Sequence, residues 1–195
     1  MEIPYSVTPR ADTGVTNAAL GMWLFIASEV MLFGSLFSSY ALLRTGAAVW
    51  PEQGAILNVP LGGANTVVLL ASSAALIAGT RALSSGRMDG FRQAFGLGVL
   101  LGLVFLGVKG VEYADEIGRG LRPATNNFMG LYFTLTGLHA AHVAGGVLVN
   151  GWLLATAPRG GMRPAQLLTR VRAAVVYWNF IDIVWVAMYI TLYLL

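Results

Sequence analysis

Residues 18–43 read AALGMWLFIASEVMLFGSLFSSYALL and contain one charged side chain, Glu29. A helix of about 20 apolar residues crosses the hydrocarbon core of a bilayer, which is roughly 30 Å thick. The stretch is too long for one strand, since strands usually have about 3–10 residues. It is also apolar on every side, unlike a helix on the surface of a soluble protein. Residues 18–43 therefore predict a transmembrane helix.

Four further stretches have similar length and apolar character. Because a helix satisfies its own backbone hydrogen bonds, it is the form that such a stretch adopts in lipid. The connections are too short for a separate soluble domain, which needs roughly 50 residues. The sequence therefore predicts an all-α, polytopic membrane protein, a bundle of five transmembrane helices in a single domain over residues 1–195. The helices are expected at about residues 17–44, 59–83, 91–114, 127–156 and 172–195.

The composition supports a membrane protein and excludes several functional classes. Hydrophobic residues make up 56% of the chain and charged residues 11%, against roughly 25% charged residues in an ordinary globular domain. The net charge of +3 gives no surplus for binding nucleic acid. The absence of cysteine excludes disulfides, thiolate metal sites and iron–sulfur clusters. With two histidines, the chain lacks the imidazole ligands that a haem and copper centre requires.

The basic residues outside the predicted helices are distributed unevenly. Eight arginines fall on the side that holds the N-terminus and three on the other side, with Lys109 near the boundary. Cytoplasmic loops of membrane proteins carry the excess of basic residues, so we expect a cytoplasmic N-terminus and a C-terminus outside. Four of these arginines flank one loop rich in glycine and proline and are candidates for binding anionic lipid headgroups. They are Arg159, Arg163, Arg170 and Arg172.

A small set of polar side chains is expected near the middle of the membrane. At a rise of about 1.5 Å per residue, Glu29, His139 and Asp182 lie about 15–18 Å from the ends of their helices. His142 is one turn beyond His139 on the same face, and Thr136 extends that polar stripe. A charge at this depth costs on the order of 2.5–3.5 kcal/mol, so each of these groups requires an explanation.

Two interpretations of these residues remain open. In one, Glu29 shares a proton or a hydrogen bond with a histidine, and the five residues form a proton-linked network. In the other, Glu29 is protonated and helps to hold the helices together. For Asp182, packing or subunit contact is the favoured role. Lys109 and Glu112, three residues apart, are interpreted as an ion pair at the membrane surface.

The pair His139 and His142 does not predict a metal site. Two histidines on one helix face cannot bind opposite faces of one haem iron, and other suitable ligands are scarce in this sequence. We therefore expect no catalytic, cofactor-binding or metal-binding residue in the chain.

The predicted helices carry motifs that resemble those of subunit III of the haem–copper terminal oxidases, in the same order. The first reads GMWLFIASEVMLF and resembles the family's W-x-F-I-x-S-E-x-M-x-F. The fourth reads YFTLTGLHAAHVAGG and resembles F-x-L-T-G-x-H-x-x-H-V-x-x-G. The segments ANTVVLLASSAAL, FLGVKGVEY and YWNFIDIVWVAMY are similar to family motifs of the second, third and fifth helices. The five segments occupy residues 21–33, 64–76, 105–113, 132–146 and 177–189.

The sequence also departs from the family pattern. Lys109 stands where the family usually has glutamine, and Asn179 stands where it usually has histidine. Family members with seven helices have two more at the N-terminus. The resemblance is therefore to the short, five-helix bacterial form.

The resemblance implies a subunit without a redox cofactor of its own. Haem and copper would be held by partner subunits, above all subunit I, on which this chain would pack beside subunit II and small subunits. The implied role is to support sustained reduction of dioxygen to water, proton uptake and phospholipid binding in a bacterial inner membrane. The implied complex is a proton-pumping terminal oxidase of the aerobic respiratory chain, with cytochrome c as electron donor.

Three alternatives remain. A subunit III of a quinol oxidase or an accessory protein of a nitric-oxide reductase would have the same five helices. A small proton-coupled transporter would use Glu29 and Asp182, although the sequence shows no internal repeat or broken helix of the kind that transporters use. A purely structural membrane scaffold would have no functional need for Glu29.

Overall fold

The computed structural model describes residues 9–11, 14–157 and 162–195. The helices are α1 (Asn17–Gly46), α2 (Gln53–Ile56), α3 (Val59–Ser84), α4 (Met88–Gly118), α5 (Asn127–Thr156) and α6 (Pro164–Tyr189). A π-helical turn, Ile190–Leu194, extends α6. All helices except α2 are long and apolar enough to cross a membrane, and no strand occurs in the described ranges. The all-α fold with five membrane-spanning helices is thus confirmed, while the orientation of the termini stays a prediction.

Local side-chain and backbone features fix where several helices begin and end. Thr16, Asn58 and Asn126 each accept a hydrogen bond from the backbone N–H three residues further on, at 3.2, 3.0 and 2.8 Å. These caps satisfy backbone donors that no helical carbonyl reaches. Beyond the ends of α3 and α4, Gly86 and Gly120 have φ angles of 72° and 80°, a left-handed conformation that glycine adopts without strain.

Two of the helices, α4 and α6, extend beyond the bounds predicted for them, whereas α5 spans the predicted residues 127–156. α6 begins at Pro164 rather than near residue 172, and α4 covers Met88–Gly118 rather than about 91–114. Hydropathy marks only the part of a helix that lies in lipid, so it loses the signal where polar residues reach the interface. The single turn of α2 was not predicted, because four residues give no recognisable period.

Four of the long helices form a closed ring in the order α3, α4, α5, α6, in which each packs against its two neighbours. α1 lies outside this ring, against α5 and α6. It runs in the same direction as α6, since the hydroxyl of Tyr40 near the end of α1 donates to the carbonyl of Thr191 at 3.0 Å. Much of α1 is therefore left uncovered, and Met31 and Leu42 are 77% and 73% exposed.

Glycines allow the ring helices to approach closely. A Cβ atom on Gly79 of α3 would lie 2.9 Å from the backbone nitrogen of Phe95 in α4. In the centre of the ring, the indole of Trp178 fits between Gly102 of α4 and Gly146 of α5, where added Cβ atoms would lie 2.7 and 2.8 Å from it. Such small residues are what permits close helix packing in membranes.

Candidate functional site

The side chains of Glu29 and His142 join α1 to α5. Glu29 Oε2 lies 2.9 Å from His142 Nε2. On the other side of the imidazole, His142 Nδ1 lies 2.8 Å from the backbone carbonyl of Leu138. A carbonyl oxygen can only accept, so Nδ1 carries a hydrogen. One more hydrogen must lie between Nε2 and the carboxyl oxygen, either in an imidazolium–carboxylate pair or in a pair of neutral groups. The two side chains therefore hold one proton in common.

The surroundings of this pair are aromatic on one side and open on the other. The ring of Phe33 meets His142 edge-on at 5.4 Å between centroids, and Tyr177 donates to the backbone carbonyl of His142 at 3.1 Å. The side chains of Glu29 and His142 are still 11% and 16% exposed. The pair thus lies where α1, α5 and α6 meet, just below the surface of the bundle.

His139 lies deeper and makes different contacts. Its ring is fully buried, stacks on Trp185 at 5.2 Å and meets Phe105 edge-on at 5.7 Å. Neither ring nitrogen has a hydrogen-bond partner among the described residues. Three residues correspond to about 300° of helix rotation, so His139 and His142 point about 60° apart, one into the ring and one toward α1.

Thr136 and Asp182 each belong to a different pair of helices. Thr136 Oγ1 lies 2.5 Å from the hydroxyl of Tyr113 and connects α5 to α4. Asp182 Oδ2 accepts a hydrogen bond from Ser73 and connects α6 to α3. The structure therefore brings Glu29 and His142 together, but it does not join them to the other three predicted residues in one hydrogen-bonded network.

The interpretation of Lys109 and Glu112 as a surface ion pair was wrong. The two side chains are 3% and 4% exposed, and Lys109 Nζ lies 2.8 Å from Glu112 Oε2. Lys109 also donates to the hydroxyls of Tyr132 and Tyr193, at 3.1 and 3.0 Å. These tyrosines come from α5 and from the π-helical turn after α6, and they cover the pair. The three-residue spacing places Lys109 and Glu112 on one face of α4, but it does not indicate whether other helices cover that face.

Tyr113, Tyr132, Tyr193 and Glu116 were not predicted as functional candidates. They lie around the Lys109 and Glu112 pair, and we call these six residues the tyrosine cluster. The signal that was available is the spacing of Lys109, Glu112 and Glu116 along one face of α4, three and four residues apart. Three formally charged residues on one side of a membrane helix predict a buried cluster better than a solvated edge.

The predicted lipid-binding arginines lie near the opposite end of the bundle. Arg163 immediately precedes α6, and Arg170 and Arg172 lie in its first turns, whereas Arg159 lies outside the described residues. Arg172 lines a cleft between α1 and α6 together with Thr16, Trp23 and Thr169. The guanidinium of Arg170 lies over the ring of Trp152 at 5.7 Å.

Comparison with known proteins gives consistent matches. The family described as "Cytochrome c oxidase subunit III" matches residues 8–195. Cytochrome c oxidase subunit 3 of Thermostichus vulcanus is 35% identical over 176 residues, which cover 90% of this chain and 86% of that protein. Subunit 3 of the cytochrome bo(3) ubiquinol oxidase of Pseudomonas aeruginosa is 31% identical over 179 residues, covering 92% and 85%.

A third relative differs in length. The "Heme-copper oxidase subunit I+III" of Aeropyrum pernix is 34% identical over 182 residues, covering 89% of this chain and 22% of that protein. The family match thus spans nearly the whole chain and includes all five membrane-spanning helices. The chain therefore belongs to the cytochrome c oxidase subunit III family and is a subunit III of a haem–copper oxidase.

Proposed function

We propose that this chain is a cofactor-free subunit of a terminal oxidase in a bacterial inner membrane, where it packs on subunit I. Haem and copper are held by the partner subunits, which reduce dioxygen to water and pump protons, and subunit II and small subunits complete the complex. The name of the Aeropyrum pernix relative supports the pairing with subunit I, since it places subunits I and III in one polypeptide. In the described part of this chain, no three histidine, cysteine, aspartate or glutamate side chains are arranged to hold a metal ion.

The Glu29 and His142 pair is the observation that supports a role beyond scaffolding. The two side chains share one proton across the contact between α1 and α5, at a depth where an unpaired charge costs on the order of 2.5–3.5 kcal/mol. The pair holds α1 on the ring and keeps a proton-binding group below the surface of the bundle. Its proposed role is to sustain turnover and proton uptake by the assembled oxidase. His139, Thr136 and Asp182 hold helices together around it.

Phospholipid binding is proposed for the inner end of the bundle. The cleft between α1 and α6 is lined by apolar side chains together with Arg172 and Thr169. An acyl chain fits its apolar wall, and the arginine provides a charge for a phosphate headgroup. Arg163 and Arg170 lie along the same end of α6 and extend the basic surface.

The membership of the complex is tested by purification through a tag on this chain. We expect a large catalytic subunit to copurify and the visible spectrum to show haem. A preparation that contains neither haem nor a large subunit overturns the oxidase assignment.

The electron donor is tested on the same preparation. We propose cytochrome c, and the ubiquinol oxidase relative makes quinol the second candidate. Oxygen consumption is measured with reduced cytochrome c and, separately, with a ubiquinol. Turnover with the quinol and none with cytochrome c assigns the chain to a quinol oxidase.

The role of the pair is tested by Glu29→Gln and His142→Ala in the complex. Each variant removes the shared proton, so we expect the initial rate to stay close to wild type while activity decays sooner during continuous turnover. Ser28→Ala is the matched control, because Ser28 is the neighbouring residue and bonds only its own helix, at the carbonyl of Phe25. If both variants turn over for as long as wild type, the pair serves only to hold α1 in place.

A further inference from the structure

The tyrosine cluster contains an ion pair whose hydrogen bonds are complete. Lys109 uses its three N–H donors on Glu112, Tyr132 and Tyr193. The other carboxylate oxygen of Glu112 accepts from the hydroxyl of Tyr193 at 2.6 Å. Both charged groups are 2–4% exposed. The pair therefore has no hydrogen-bond donor left for a further acidic group nearby.

Glu116 is that further group, one turn along α4. It is 1% exposed, and neither carboxyl oxygen has a hydrogen-bond partner within the described residues. It lies within electrostatic reach of Lys109, Glu112 and Arg119. The guanidinium of Arg119 binds Asp115 at 3.0 Å and the carbonyl of Ile56 at 3.1 Å. The nearby hydroxyl of Tyr113 is already 2.5 Å from Thr136. Burying a polar group without any hydrogen bond costs roughly 2–7 kcal/mol, so Glu116 requires a partner that Lys109, Glu112 and Tyr113 do not supply.

The hydroxyl of Tyr132 can supply one end of a bridge to Glu116. It lies beside the Glu116 carboxyl, although not in hydrogen-bonding geometry with it. It accepts from Lys109, while its contact to Tyr193 is long, at 3.4 Å. The Tyr193 hydrogen is used on Glu112. Tyr132 is therefore the donor in this long bond to Tyr193. A small molecule that accepts from Tyr132 at a shorter distance and donates to Glu116 would replace it.

A polar cleft leads from the surface to this cluster. It lies at the end of the bundle that is predicted to face outside and is lined by Arg44, Trp50, Glu52, Gln53 and Tyr193. Its volume is about 460 Å³, whereas one water molecule takes roughly 30 Å³ in the liquid. Tyr193 belongs to both places, since it lines the cleft and its hydroxyl reaches Lys109 and Glu112.

We propose that the tyrosine cluster is a water-binding site. Water bridges Glu116 to Tyr132 and exchanges with the aqueous phase through the cleft beside Tyr193. Water has the required donor and acceptor groups, and buried water typically bonds polar groups that the protein leaves unsatisfied. The site is formed by α4, α5 and the π-helical turn, whereas the Glu29 and His142 pair joins α1 to α5. The inference therefore goes beyond the proposed function.

Radiolytic hydroxyl-radical footprinting in ¹⁸O-water tests the site in the purified complex. Radicals form from water, so a buried side chain is labelled when bound water lies against it. We expect Tyr132 to be labelled severalfold faster than Phe95, after correction for intrinsic reactivity. Phe95 is the matched control, because it is equally buried and packs against Phe91, with 4.9 Å between the ring centroids. Labelling of Tyr132 that does not exceed that of Phe95 overturns the proposal.

Two substitutions at one position give an independent test. Glu116→Gln keeps groups that hydrogen-bond to water, whereas Glu116→Met fills similar space without them. At a hydrated site, the methionine variant unfolds at a lower temperature than the glutamine variant. At a dry site the order is reversed, because methionine removes an unpaired polar group. The proposal is overturned if the unfolding temperatures of the two variants are equal or if that of the methionine variant is higher. If either variant fails to assemble, the footprint of the wild-type complex decides.

Discussion

The ammonium group of Lys109 is enclosed by a carboxylate, two tyrosine hydroxyls and four aromatic rings. Its Nζ lies 5.1 Å from the ring centroids of Tyr113 and Tyr132, 5.4 Å from that of Trp185 and 5.7 Å from that of Tyr193. Aromatic faces attract a cation and tolerate its burial. The burial of the Lys109 charge therefore depends on Glu112 and on these rings.

Lys109→Met is expected to destabilise the protein more than a double variant that removes the charges of both Lys109 and Glu112. It leaves Glu112 buried without its counter-ion, which costs about 3–5 kcal/mol. The double variant Lys109→Met/Glu112→Gln leaves no unpaired charge and should recover much of that loss. Unfolding is measured in detergent for both variants and for wild type. A single variant as stable as wild type contradicts the ion pair as described.

Ser73→Ala is expected to lower the free energy of unfolding by about 1–3 kcal/mol, because Asp182 then loses the hydrogen bond that Ser73 donates. Ser35→Ala is the control, since Ser35 is exposed on α1 and bonds only the carbonyl of Leu32 in its own helix. The same detergent measurement applies to both. Equal effects at the two serines would show that the contact between α3 and α6 does not depend on Asp182.

At the scale of helices, the close approach of α3 and α4 rests on residues without side chains. Gly79→Ala places a methyl group 2.9 Å from the backbone nitrogen of Phe95, and a backbone atom cannot turn aside as a side chain can. We expect a loss of about 1–3 kcal/mol from this overpacking. Gly34→Ala on α1 is the control, because nothing lies within 4 Å of its added methyl group. At this control position we expect the free energy of unfolding to rise by about 0.5–1 kcal/mol, because alanine favours the helix. A Gly79 variant that is stabilised to the same extent would contradict the close packing of α3 on α4.

The existence of the five long helices could be predicted from sequence because each has an apolar stretch long enough to span lipid. The start of α6 could not be predicted, since Arg170 and Arg172 continue this helix at the interface, where hydropathy carries no signal. The partner of Glu29 could be narrowed to two histidines but not to one. The choice of His142 depends on α1 lying outside the ring, a tertiary fact that no local pattern contains. Burial of Lys109 likewise depends on Tyr193, which lies 84 residues further along the chain.

At the scale of the whole molecule, the orientation in the membrane rests on the uneven distribution of arginines, and the absence of cysteine makes it simple to measure. Ser85→Cys lies in the exposed turn after α3, and Thr125→Cys lies in the exposed connection before α5, at the opposite end of the bundle. With the N-terminus in the cytoplasm, an impermeant maleimide added to spheroplasts should label position 125 and not 85. Labelling of position 85 alone would show that the N-terminus lies outside and the prediction is wrong.

The position of α1 outside the ring also sets the order in which the protein assembles. α1 is synthesised well before the helices it packs on, since α5 and α6 begin only at Asn127 and Pro164. At about 5–20 residues per second, the roughly 80 residues between α1 and α5 take on the order of 4–16 s to synthesise. During that time the ring of four helices is incomplete, and Glu29 has no His142 to pair with. Although α1 is made early, it can dock only after α5 has been made, so its hydrogen bond to α5 forms late in synthesis.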